Sequence, residues 1–80
     1  MRIDELKRIA EEGEYRLFYD KFWLYLSKKN IDEVDNVIAI SLLGSNHLSI
    51  SNFSGTGEDL KMLKAAIKFC ETDASNRGLA

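Results

Sequence analysis

The sequence holds no proline, a single cysteine, and no long apolar run. Without proline nothing imposes a rigid break, and no repeat or low-complexity stretch marks a linker. The lone Cys70 cannot close an internal disulfide, which excludes the bridged scaffold of small secreted domains and points to a reducing compartment, the cytoplasm. No window approaches the roughly eighteen apolar residues that a membrane span needs. The start, Met1-Arg2-Ile3-Asp4-Glu5, has no apolar signal region, so no membrane is expected among the partners. An excess of one charge is missing too: 11 Lys and Arg stand against 13 Asp and Glu, a net charge of -2. That balance sets up no strong field for nucleic acid, and its mild acidity leans against it.

What is present belongs to a folded domain. Hydrophobic residues at 45% and charged residues at 30% exclude disorder for all but the end of the chain. A chain of 80 residues makes one domain, assigned to 1–73, with 74–80 read as a flexible polar tail. So small a domain buries only about 60 to 65% of its unfolded surface, and a homodimer would widen the thin margin.

The organising stretch is Val37-Ile38-Ala39-Ile40-Ser41-Leu42-Leu43. It is apolar on both alternating sets, which predicts a central strand packed on two sides. The turn signal Gly44-Ser45-Asn46 leads to the alternating run His47 to Phe53, which predicts a hairpin. Upstream, Ile3, Leu6, Ile9 and Ala10 fall at helical spacing over residues 2–12, and Gly13 stands where a left-handed cap belongs.

Residues 15–28 hold six of the eight aromatics. Tyr15, Phe18, Tyr19, Phe22 and Leu26 would line one side of a helix, but the aromatic density favours strands broken near Asp20-Lys21. Phe22, Leu24 and Leu26 then point one way, and Trp23, Tyr25 and Ser27 the other. Left uncovered, Trp23 and Tyr25 are candidates for a protein contact, because such residues supply much interface energy.

Lys28 to Asn36 reads as a polar connection, with Asp32, Glu33 and Asp35 on a solvated loop that lacks the ligand series and glycine of a calcium site. Thr56 and Asp59 have the spacing of a capping box, opening a helix from Glu58 to about Thr72. Glu58 and Asp59 occupy the first turn, where a bound phosphate would sit, and there is no Walker motif. On this helix Lys61, Lys64 and Lys68 form one narrow stripe. The remaining apolar positions cover more of the circumference than one sheet face needs, so Met62 and Phe69 call for another cover: the first helix, a second subunit or a target protein.

Catalytic and metal chemistry is thin. His47 has no second histidine and no neighbouring cysteine, so no metal or cofactor is expected. Cys70 lies on the apolar side of its helix, where a buried thiol is inert. Glu11 and Glu12 are adjacent on a helix and point apart, so they cannot flank one bond. A non-enzyme is the expectation.

The order of helix, three to four antiparallel strands and helix is an α+β domain. With Glu5-Leu6-Lys7-Arg8-Ile9-Ala10-Glu11-Glu12, Trp23-Leu24-Tyr25-Leu26, Ile38-Ala39-Ile40-Ser41-Leu42 and Ala65-Ala66-Ile67-Lys68-Phe69-Cys70-Glu71-Thr72, the chain resembles small uncharacterised proteins of phages and prophages of Gram-positive bacteria. Its element order is similar to that of small acidic anti-CRISPR proteins that inhibit Cas9 by occupying its DNA-recognition surface. The resemblance implies a phage-encoded inhibitor of a host defence or nucleic-acid-handling protein. The expected contact residues are Trp23, Tyr25, Asp32, Glu33, Asp35, Glu58, Asp59, Met62 and Phe69. Two alternatives stand beside it: a double-stranded nucleic-acid-binding domain using Lys61, Lys64 and Lys68, and a self-associating structural protein.

Overall fold

A computed structural model of the chain describes residues 1–29, 36–44 and 46–79. The apolar stripe of Ile3, Leu6, Ile9 and Ala10 forms the inner side of α1 (Ile3–Glu12), with Ile3, Leu6 and Ala10 buried. Gly13 closes the helix, but at φ -88 it is not the left-handed residue; that conformation falls on Glu14 at φ 60. The two-residue reversal therefore places its strain on a side chain where glycine was expected to take it.

Four strands follow: β1 (Tyr15–Tyr19), β2 (Trp23–Lys28), β3 (Val37–Ser41) and β4 (Leu48–Ser51). They pair in sequence order as one antiparallel meander. The aromatic segment is thus a hairpin, and its break falls at Asp20-Lys21 as the composition predicts. Asp20 makes the break: its Oδ1 accepts from the backbone N–H of Phe22 at 2.8 Å and of Trp23 at 2.9 Å. Those two donors hold its carboxyl below the ordinary carboxylate value.

Register decides which residues share a face. Leu17, Leu26, Ile38 and Ile50 lie in one row across the sheet, and Leu24, Ile40 and Leu48 in the next. Leu24, Leu26, Ile38 and Ile40 are fully buried there, beneath both helices. The second helix, α2 (Gly57–Glu71), packs on β3, and α1 lies alongside α2 and over β1. Met62 and Phe69 fill the core between these elements. Among the covers weighed for them from the sequence, it is the first helix that serves. The two-sided packing expected for β3 is not found: Ile38 and Ile40 are buried, whereas Val37 and Ala39 on the other face are only half-buried. Both helices sit on the other side, so among the described residues no helix lies above the second apolar row of β3.

The chain after Asp73 departs from the loose tail expected of it. A short 3-10 turn, Ala74–Asn76, brings Arg77 into the protein, where its side chain is wholly buried. Its guanidinium donates to four backbone carbonyls: Cys70 at 2.9 Å, and Ser41, Gly44 and Thr72 at 3.0 Å each. Cys70 and Thr72 are at the C-terminal end of α2, where unpaired carbonyls and the helix dipole favour a cation. The plane of the group also stands 5.0 Å from the Phe69 ring. The backbone carbonyl of Arg77 accepts from the Ile3 N–H in the first turn of α1. One residue thereby closes the end of one helix and the start of the other. Among the described residues, no helix is long and apolar enough to cross a membrane.

Candidate protein-binding face

The face of the sheet away from the helices is built by the alternate residues of every strand. Phe18 and Tyr25 are direct cross-strand partners, their rings stacked 5.2 Å apart at 27°. Trp23, one place along on the same face, pairs with Ser41 and meets His47 edge-on at 5.5 Å. Val37 and Ala39 extend the apolar surface across β3, and Arg16, Ser27, Ser49 and Ser51 complete it. Phe18 is 58% exposed, and Phe22 at the hairpin tip 53%. Trp23 and Tyr25 are half-buried. The residues forming the core cluster lie on the opposite side, so this aromatic surface contributes little to closing it.

A buried polar cluster occupies the far corner, where α2 begins. Asp59, buried under the sheet end, accepts from the Tyr15 hydroxyl at 2.7 Å and from Asn36 Nδ2 at 3.2 Å through Oδ1. Its Oδ2 accepts from the Thr56 N–H at 2.9 Å, the Asp59 half of the capping box read from the sequence. Lys28 Nζ lies 3.0 Å from Oδ1. Asn36 adds bonds to the Tyr15 hydroxyl at 3.0 Å and to the Ser54 carbonyl at 2.8 Å, and its Oδ1 accepts from the Ser54 N–H at 2.8 Å. The Tyr15 hydroxyl bond, then Thr56 and Lys28, hold the Asp59 carboxyl down to about 2 against its burial. Burial and the Asp59 carboxylate push the Tyr15 hydroxyl up to about 12. Carboxylate and phenol are engaged with each other and with the backbone. The cluster holds together the ends of β1, β2, β3 and α2, and it offers no free base or nucleophile near neutral pH.

The residues named from the sequence are thus divided. Trp23 and Tyr25 are together on the open face. Glu58 is exposed at the start of α2, on the helical side, whereas Asp59 beside it is buried in the polar cluster. Met62 and Phe69 are core residues and are corrected as contact candidates: packing of α1 on α2 leaves neither accessible. Lys61, Lys64 and Lys68 are exposed on α2, away from the open face. Asp32, Glu33 and Asp35 lie outside the described residues. The sequence reading missed Phe18, whose cross-strand position opposite Tyr25 follows from the register, and Arg77, which gave no local signal beyond its glycine neighbour.

No protein-family model, curated protein or solved structure matches this chain.

Proposed function

We propose that the chain is a non-enzymatic protein-binding module whose contact surface is the open face of the sheet. The observation that supports this is the row of Phe18, Tyr25 and Trp23 on a face that, among the described residues, no helix covers. Aromatic side chains exposed together on a rigid sheet are costly to keep in water and are enriched where partners dock. Sheet pairing fixes their positions in advance, which reduces the ordering cost of binding. The partner presents an apolar surface, since the face carries only Arg16 among charged residues of its strands.

On the resemblance to phage proteins, that partner is a host defence or nucleic-acid-handling protein held inactive by the contact. Acids would have a smaller part in this than the sequence suggested, because Asp59 is spent inside the fold. The test is affinity capture from host lysate, treated with nuclease, using the intact chain beside Phe18→Ser/Tyr25→Thr and Lys64→Glu variants. A protein retained by the intact chain and by Lys64→Glu, but lost with the double variant, supports the reading. A catch that disappears with nuclease or with Lys64→Glu moves the function to nucleic acid and α2.

A further inference from the structure

We infer that the free edge of β4 pairs with the same edge of a second copy of this chain, joining two sheets into one eight-stranded sheet. β4 is an outer strand of the meander; it is short, at four residues, but it carries no charge and no proline, and among the described residues no further strand pairs with it. From Asn36 to Gly57, 22 consecutive residues carry no Asp, Glu, Lys or Arg. The other outer strand, β1, differs: it carries Arg16, α1 rests on it, and Lys7 stands over its Tyr19 ring at 5.5 Å.

The hydrogen-bond parity of β4 shows what its edge offers. Ser41 N–H donates to the His47 carbonyl, so His47, Ser49 and Ser51 turn their backbone groups towards β3. Leu48 and Ile50 turn theirs outward. Their side chains share the helix-facing side with Ile40 and Ile38, yet α2 leans on β3 and leaves Ile50 42% exposed. On α2, Ile67 is 41% exposed and lines a cleft together with Asn46, Leu48, Cys70 and Glu71. The edge strand is therefore an uncharged strip of open backbone groups, with aliphatic side chains beside it and the Glu71 carboxylate at the end of its cleft.

A second copy fits this strip because the strip is compatible with itself. A two-fold axis through Ser49 sets Leu48 against Ile50 of the partner subunit, each pair exchanging both backbone bonds. Small hydroxyls meet across the axis on the open face, and aliphatic side chains meet on the helical side. No like charges face one another between the paired strands, whereas a strand bearing even one lysine at its centre would repel its own copy. Pairing leaves both aromatic faces on the same side of the joined sheet, so it is independent of the partner-binding reading above.

The test is solution mass by sedimentation equilibrium, up to millimolar concentration, with amide exchange on the same samples. The intact chain is expected at twice its 9.1 kDa mass. Ile50→Lys and Leu48→Lys should each return it to the single-chain mass with an unchanged far-UV spectrum, while Phe18→Ser stays dimeric. In the intact chain, which needs no variant to fold, the outward amides of Leu48 and Ile50 should be protected and should lose that protection on dilution. A single-chain mass throughout overturns the inference, as does a dimer that survives both lysine variants or dissociates with Phe18→Ser.

Discussion

Replacing Arg77 by methionine keeps the length and apolar stem of the side chain and removes its donors. The four carbonyls it serves are on three separate elements: Cys70 and Thr72 at the end of α2, Ser41 at the end of β3, and Gly44 in the turn beyond it. A hydrogen bond to a charged group contributes about 1.5 to 3 kcal/mol, but a buried cation facing no carboxylate among its described partners gives back much of that in desolvation. Taking about 1 kcal/mol net for each bond, and a little for the contact with Phe69, the loss is about 4 to 5 kcal/mol. A domain of this length has a total stability of about 4 to 12 kcal/mol, so the variant would be marginal or unfolded at room temperature. Urea titration followed by circular dichroism reads the difference, and truncation after Asp73 should cost at least as much. If Arg77→Met costs less than about 0.5 kcal/mol, as a solvated residue would, the stapled C-terminus is wrong and 74–80 is the loose tail its composition suggests.

Other outcomes follow from the same geometry. Gly55 has φ +143, and a Cβ there would collide with the Asp59 carboxylate, so Gly55→Ala should cost about 2 kcal/mol by urea titration and detach Asp59 from Thr56. Glu14→Gly should raise stability by up to about 1 kcal/mol, since Glu14 is held at φ 60; a fall in the urea midpoint would count against that turn. Because the folded Asp59 carboxyl is depressed to about 2, its contribution is complete above the ordinary value near 3.8 and fades as pH falls through 2. The Tyr15 hydroxyl works in the opposite sense: raised to about 12, it costs stability as pH rises beyond 10. Asp59→Asn should flatten the acid limb of a stability-against-pH curve, and an unchanged limb would remove Asp59 as its cause.

The fold was readable where periodicity and composition agreed. Alternation sets Leu24 and Leu26 on one side of β2, the side the helices bury, but β3 is apolar on both sides, so nothing in its residues tells that Ile38 and Ile40 rather than Val37 and Ala39 face the helices. The aromatic segment resolved as a hairpin because Asp20 supplies a side-chain acceptor for the turn, a local device visible in the residue itself. Less could be read where the answer depends on elements far apart in the chain. Nothing near Met62 or Phe69 tells that α1 closes over them, since that depends on how the helices pack. The spacing of Thr56 and Asp59 marks a helix cap, but the bonds of Asp59 to Tyr15 and Asn36 span 44 and 23 positions and leave no local pattern. Arg77 was hidden for a similar reason: a lone arginine in polar sequence has the composition of solvent-facing chain, whereas its actual environment is a set of backbone carbonyls, which are the same for every residue type.

The candidate face was half legible. Trp23 and Tyr25 could be set on one side of a strand by alternation, but only the placement of both helices on the other side leaves that face open. The acidic surface weighed beside it loses Asp59 to the interior, and Glu58 faces a different direction from the aromatics.

Side-chain and amide NMR shifts of the labelled chain, followed as its captured partner is added, locate the contact surface residue by residue. The open-face reading predicts that the ring resonances of Phe18, Trp23 and Tyr25 and the methyls of Val37 and Ala39 move, while Leu60, Lys64 and Lys68 on α2 do not. Perturbation confined to α2, with the aromatic rings unmoved at saturation, would contradict it.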